Sequence, residues 1–549
     1  MIRRLLIYLA LVTGSLVFAW PFVWMAATSA KLQRELFNDH PRTMPEAPKS
    51  RLRSPYIDDH LFADVSGPRM EESIGLIEEQ LKSRAYSRPA DDNSEAALEA
   101  AARGIYAHLL ATIPDKTWQK SADDLRAEIT TKITPELVSN IGVRLRRVFC
   151  VRQMRVRSYD LQEDELVAPK DAATKWKIGG TAMASLTPAG SADDSCAELR
   201  YDFSKGDVVT LSQTFTTTFP VSRLHRIQFY LRNDDNWHAI KLIVEKNGKQ
   251  LRAERAIDDA DSNWVVDTWQ EPGPDDRVIK IRTWTLLREI GAGPQFVSDP
   301  NQLKITLELS RRNLVQAWIA KILRTYRLTL DYIPFWRYVG TSVFLVVLNL
   351  AGTLTSCSLV AYSFARLSWP GRAIAFALLL ATMMIPPQVT MIPQFLIFQK
   401  LGWYNTLKPL WVTSFFAAAF SVFLLHQFIK GVPRDLEDAA RLDGCGFLRI
   451  YWHVILPLIK PALAVVAIFS FLATWNEFMT PLIYLSDQRL YPLSFGLYAF
   501  QIQALQVGTS AEIGMLMAGS LLMMLPVIVV FFFAQRYFLK GVVLTGLKA

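Results

Sequence analysis

Apolar residues fall along this 549-residue chain in two ways: long unbroken runs near the start and end, and short periodic ones between. The first run, 5–27, follows Arg3 and Arg4 and stops before Lys31. Its 23 residues exceed the roughly 7–15 of a secretory signal core and match the ~20 that cross a bilayer. A retained transmembrane helix is expected. A signal peptide cleaved near Ala27-Thr28-Ser29-Ala30 is the rival reading. Further runs at 337–364, 373–392, 410–428, 454–481 and 513–537 predict five more spans. Prolines inside them, Pro386-Pro387 above all, break the backbone ladder, which a bilayer tolerates only against protein or a cavity.

The middle of the chain has two textures. From about 71 to 148 the apolar spacing is helical and charged, as in 95–110 and 122–133. From about 152 to 310 the period is two. Leu303, Ile305, Leu307 and Leu309 alternate with Lys304, Thr306 and Glu308, and Ile227, Phe229 and Leu231 alternate with Gln228 and Tyr230. Asn247-Gly248 between such runs predicts a tight hairpin. Several short strands predict a β-sandwich or jelly roll. An amphipathic helix over 313–330 leads back to the apolar runs, and 32–68 and 187–195 read as linkers.

Charge refines this picture. The chain holds 60 Lys/Arg and 51 Asp/Glu, formally +9, but residues 31–335 hold 44 of each. The excess therefore sits in short loops beside apolar runs: Arg3 and Arg4, Arg366 and Arg372, Lys430 to Lys460, and Arg536 to Lys548. This is the positive-inside pattern. It predicts six spans, both termini in the cytoplasm, and residues 32–330 on the outer side of the membrane. It also explains the basic pI without nucleic acid. The expected architecture is an α-helical polytopic membrane protein with an inserted extracytoplasmic α+β domain. Its parts are a first transmembrane helix (1–31), a helical and linker region (32–150), a β-rich domain (151–311), a connecting helix (312–335) and a five-helix core (336–549). Four cysteines make no disulfide scaffold, and no cluster has metal-ligand spacing. Cys150 and Cys196 could pair in an oxidising compartment or remain buried thiols.

One loop carries the strongest chemical signal. Asp438-Ala439-Ala440, then Gly444, then Val454 and Leu456-Pro457 lie in a short acidic helical stretch within 433–453. Acid at its start suits the helix dipole, the alanines permit close approach, and Gly444 permits a turn. This spacing resembles the coupling-helix signature of ABC importer permeases, with Asp438 for the usual Glu and Val454 for the usual Ile. Thr474-Trp475-Asn476-Glu477-Phe478, Tyr362-Ser363-Phe364-Ala365-Arg366-Leu367 and Gln535-Arg536-Tyr537 look like carbohydrate-uptake permeases, the maltose-transporter subunit with six spans especially. The likeness covers 1–31 and about 325–549 and leaves out the insert.

The resemblance implies a permease subunit of an ATP-driven importer, not an enzyme. Its loop helix would dock on a separate ATPase dimer through Asp438, Ala439, Ala440 and Gly444, flanked by Glu437 and Asp443, with Leu456-Pro457 starting the next span. It further implies a second permease subunit, an extracytoplasmic solute-binding protein and alternating access. The tail at 546–548 would approach the ATPase as well. No GxxxxGK[ST] occurs, so ATP and Mg belong to the partners and no cofactor is expected in this chain. Met384, Pro386, Gln388, Asn476 and Glu477 are candidates for a translocation path. Against that, Glu477 could be an interface residue, and the methionines helix packing. Trp237, Trp264, Trp269 and Trp284 read as sandwich core rather than sugar platforms, and Asp234-Asp235 as a solvated turn. The competing function is a membrane-anchored sensor or carbohydrate-binding module, which would not need a coupling helix.

Overall fold

A computed structural model of the chain describes residues 2–36, 43–83, 95–119, 121–160, 164–168, 175–189, 196–257, 264–271, 284–292, 300–507 and 513–546. It divides into two compact units, one from residues 1–46 and 322–549, the other from 47–276 and 283–321. The expected tail contact at 547–548 lies outside the described residues.

The first unit is helical. Its opening helix, Ile2–Ser29, exposes apolar side chains from Leu6 to Trp24, as a helix that is apolar all round does when lipid is its solvent. Among the described residues, four helices are long and apolar enough to cross a membrane: Leu6–Ser29, Phe335–Arg366, Lys408–Lys430 and Ile513–Gln535. Two further runs, expected as single spans, are bent pairs. Arg372–Thr382 meets Pro387–Lys400 at 100°, and Phe447–Leu458 meets Lys460–Asn476 at 79°. The cause of the first bend is local. Pro386 and Pro387 have no N–H to give and force the preceding residue out of the helix. Counting each pair as one gives six. The apolar helix Leu493–Val507 follows Pro492 and was not expected from the hydropathy runs. Among the described residues two apolar clusters hold this unit together. One is around Cys357, Ala361, Val422, Leu425 and Tyr451; the other is around Phe335, Tyr338, Trp475 and Phe495.

The second unit begins with helices Met70–Ser83, Glu95–Thr112, Ala122–Lys132 and Pro135–Leu145 around Ile77, Ile105, Leu109, Leu125 and Ile141. Their starts are written in the sequence. Ser121 accepts the Asp124 N–H, and Thr134 accepts the Leu137 N–H ahead of Pro135 at the first helical position. Gly104 is needed for close packing, because a Cβ there would lie 2.7 Å from Ile141 and 2.8 Å from Phe62.

The rest is β-structure. In chain order the strands of the main sheet are β1 Arg53–Ser54, β2 Phe149–Ser158, β3 Glu165–Ala168, β4 Lys177–Gly180, β5 Met183–Ala189, β6 Cys196–Asp202 and β7 Val208–Thr216. They continue as β8 Leu224–Arg232, β9 Ala239–Lys246, β10 Lys249–Ala253, β11 Trp264–Gln270, β12 Thr285–Ala292 and β13 Gln302–Ser310. Their order is β1-β6-β2-β8-β11-β12-β10-β9-β13-β7-β4, with β3 on β2 and β5 on β6. Neighbours are antiparallel except β11 and β12. The Asn247-Gly248 hairpin forms as expected, with positive φ at both residues and Lys246 opposite Lys249. The period-two residues of β8 and β13 share one core with Trp269, whose ring packs against Phe229. Trp176 touches both Phe215 of β7 and Phe229 of β8, so strands from the two halves of the strand order face one another across that core.

Asp234 and Asp235 are not a solvated turn. Both are buried, and they lie in a polar cluster joining the helical and β parts of this unit. Lys49 reaches Asp58 at 2.6 Å and Asp235 at 3.4 Å, and Arg147 reaches Asp58 at 3.2 Å. Tyr201 bonds the Asp234 carboxylate, and Asn236 donates to both at 3.0 and 3.1 Å. Burial opposes the Asp58 charge, yet Lys49 and then Arg147 outweigh it and hold its carboxyl below the ordinary range. His238, beside this cluster, is pushed down by burial.

Both shifts have one sign. An unfolded chain takes up protons at histidine below about pH 6.5 and at aspartate below about pH 3.9, before these folded sites do. The contribution of these two groups to the stability of this unit is therefore full above about pH 6.5. It should fall first as His238 lags behind unfolded histidine, and again below about pH 4 as Asp58 loses its charge. Hydrogen-exchange protection of β2 and β8 in the full-length protein, corrected for intrinsic rates, should follow that course. Asp58→Asn leaves two cations short of a partner and should cost about 3–5 kcal/mol at neutral pH.

Candidate coupling element and membrane cavity

The loop with the acidic-alanine signature folds as a helix, Asp435–Leu442, whose first turn holds Asp435, Glu437 and Asp438. It does not run through 433–453 as one element. Gly444 takes φ 80°, its N–H bonds Arg441, and the Cys445 N–H bonds Ala440, which ends the helix. A new segment starts at Phe447, passes a widened π-type turn over Tyr451–Ile455 and reaches Leu456-Pro457. Tyr451 shares a 2.6 Å hydrogen bond with Ser358, and the Tyr362 hydroxyl donates to the Phe447 carbonyl, so both ends rest on Phe335–Arg366.

The predicted residues separate into two groups. Asp438 (64% exposed), Ala439, Asp443, Gly444 and Pro457 face away from the chain, while Ala440 and Leu456 are half-buried. Glu437 does not flank that surface: it is 3% exposed and turned inward. Its carboxylate lies 2.8 Å from the Arg366 guanidinium, which also donates to the carbonyls of Ile429 and Val432 at 2.5 and 2.6 Å. Arg366 is the last residue of its helix, so one side chain ties that helix end to the loop and to the acidic helix.

Two further features escaped the sequence reading. Leu442 is 91% exposed, and Leu436, Phe447 and Leu448 are also exposed, so the acidic helix presents a rim of bare apolar groups. The available signal was Leu442 sitting between Arg441 and Asp443, where an apolar residue has no core to join. The second is a cavity of about 210 Å³ lined by Asn349, Gln394, Thr474 and Glu477 among apolar residues. Asn349 is held there by bonds to the carbonyls of Leu345 and Leu410. Glu477 accepts the Thr480 N–H at 2.9 Å, and its own carbonyl accepts the Ser494 hydroxyl. Of the five path candidates only Glu477 lines this cavity. Met384, Pro386 and Gln388 are exposed around the bend, and Asn476 donates to the Leu472 carbonyl.

Cys150 and Cys196 are two buried thiols. A hydrogen bond with Cys196, and then burial, push the Cys150 thiol far up. No group of His, Cys, Asp or Glu among the described residues could hold a metal ion.

Four helices long and apolar enough to cross a membrane, with two bent apolar pairs, mark this unit as a membrane-type helical domain. Residues 357–543 match the family model of the binding-protein-dependent transport system inner membrane component. The chain is 34% identical over 214 residues to the arabinooligosaccharides transport system permease protein AraQ of Halalkalibacterium halodurans, covering 39% of this chain and 75% of that protein. It is 33% identical over 201 residues to the diacetylchitobiose uptake system permease protein NgcG of Streptomyces coelicolor, covering 36% and 66%. A bacterial ABC transporter solved for import of the acidic polysaccharide alginate aligns at 26% identity and a TM-score of 0.35, over 39% of this chain and 79% of that one. The chain belongs to the binding-protein-dependent permease family and is a transport component, not an enzyme.

Breaking the buried pair should loosen the helix it anchors. Arg366→Ala or Glu437→Ala should each cost about 3–5 kcal/mol of local stability, because either leaves a charge uncompensated. Replacing both by apolar residues of similar volume, Arg366→Met with Glu437→Leu, should recover most of it. Hydrogen exchange over 435–442 measures both.

Proposed function

We propose that the chain is a membrane-spanning permease subunit of an ATP-driven carbohydrate importer, and that helix Asp435–Leu442 transmits closure of a separate ATPase dimer to the spans. The observation that carries this reading is the division of the helix. Asp438, Ala439, Leu442 and Gly444 are bare, whereas Glu437 is clamped on Arg366. A surface with exposed leucine and small residues suits a partner's cleft, and a bare leucine there favours an occupied state. The clamp would carry a push on the helix into the end of Phe335–Arg366 without slack.

In this reading each bent pair crosses the bilayer once, giving six spans with both termini and the loop helix in the cytoplasm. The β-rich insert is then an extracytoplasmic sandwich, and a second permease and a solute-binding protein complete the assembly. ATP and Mg are bound by the ATPase. The sugar class follows the relatives, whose names specify arabinooligosaccharides and diacetylchitobiose. The cavity with Asn349, Gln394, Thr474 and Glu477 offers amide, hydroxyl and carboxylate groups to a polyhydroxylated solute at the edge of the path. Met384, Pro386, Gln388 and Asn476 lie along that path only if the bends open onto it.

Leu442→Asp keeps the fold, since the side chain touches little, and should reduce uptake by more than tenfold with membrane insertion unchanged. Gly444→Asp should do the same through the strained φ at the helix end. A cysteine at Ala439 should crosslink to the ATPase in membranes. Wild-type uptake by Leu442→Asp, or crosslinks only to externally added reagents that cannot enter the cell, would remove the docking role.

A further inference from the structure

The face of β2, β8 and β11 turned away from the core has a composition the core does not require. Residues opposite one another in the ladder share a face, so Arg226–Arg157, Gln228–Arg155 and Tyr230–Gln153 lie together, opposite in sense to Ile227–Val156 and Phe229–Met154. Arg232 stands opposite Trp264 on the same side. Arg152 and Arg232 each lie 5.5 Å from the Trp264 ring centre, and Arg155 lies 5.6 Å from that of Tyr230. Arg157 is bonded to Asp164 at 2.6 Å. Among the described residues the guanidinium of Arg226 makes no hydrogen bond or ion pair, and the repulsion of Arg157 acts on it more strongly than the attraction of Asp164. Among the described residues Arg155 meets an aromatic ring alone, and Arg232 a ring and the Cys150 sulfur at 3.4 Å.

Like charges directly opposite in a sheet cost stability, roughly 0.2–1 kcal/mol for a pair. Acidic residues are as numerous as basic ones in 31–335, 44 of each, so the basic character of this face is local. From this we propose that the β2–β8–β11 face binds an acidic oligosaccharide, a chain of carboxylate-bearing sugars. The length of the array argues for a chain. Arg226 and Arg232 are six residues apart on one strand, about 20 Å at ~3.3 Å per residue, which exceeds the reach of a single small anion. The group types argue for carboxylate sugars. A guanidinium fork matches a planar carboxylate with two parallel hydrogen bonds. The Tyr230 ring and the rim of Trp264 supply apolar surface for sugar C–H faces. The assignment rests on this sheet face alone and does not depend on docking of an ATPase.

The test uses the full-length protein in nanodiscs of zwitterionic lipid, titrated calorimetrically with oligogalacturonate and with a neutral maltooligosaccharide of equal length. Oligogalacturonate should bind, weaken steeply as salt rises, and lose about tenfold in affinity with Arg226→Ala and more with Arg155→Ala added. The neutral sugar should not compete. Hydrogen-exchange protection of β8 checks that the variants keep their fold. Should they lose it, Arg226→Gln and the salt series on the wild type give the same reading. Equal binding of the neutral sugar, no binding of oligogalacturonate, affinity unchanged in the double variant, or binding to anionic vesicles alone would each overturn the proposal.

Discussion

Arg366 sits where three pieces of backbone end. Its guanidinium meets the carbonyls of Ile429 and Val432 and the carboxylate of Glu437, all away from solvent. Helix ends leave carbonyls without internal partners, and a buried one must find a donor elsewhere. A planar fork with several N–H groups can serve two carbonyls and a carboxylate at once, which a lysine could not do in that geometry. The direction of the acidic helix follows from this. With Glu437 drawn inward, the helical period of 3.6 turns Asp438, Ala439 and Leu442 outward. The exposed surface used in the proposed function is thus a consequence of an internal bond.

The same logic governs the helical and β parts of the inserted unit. Lys49 and Asp58, Arg147, and Asp235 come from three separate stretches and converge where helices meet sheet. Apolar burial could join those parts with greater stability, since desolvating ions costs most of what their attraction returns. What the ions supply is a requirement for one arrangement, because any shift strands a charge. Asp235 adopts φ 65° to take its place, an unusual backbone state for a residue with a Cβ.

Local patterns were legible before any coordinates. The alternation in 303–309 and the Asn247-Gly248 turn each depend on neighbours in sequence, and each forms where expected. What was not legible depends on distant partners. Glu437 reads as one more acid on a charged helix until Arg366, 71 positions earlier, is placed beside it. Asp234-Asp235 reads as a turn because turn residues and buried ion ligands are the same residue types. The 373–392 run reads as one span because hydropathy counts length and ignores direction, while Pro386-Pro387 changes direction by 100°.

The arginine face and the buried clusters pose one question with opposite answers. In both, charge is concentrated where a simpler surface would have folded as well. In the clusters each cation has a carboxylate within about 4 Å, so the charges close on themselves and specify a geometry. On the β2–β8–β11 face the closure is partial: Arg157 has Asp164, but Arg226 has Arg157 across the ladder and Arg155 has a ring. A structure that elsewhere answers its buried cations with acids leaves these to an anion from outside, and the flatness of a sheet lets that anion be long.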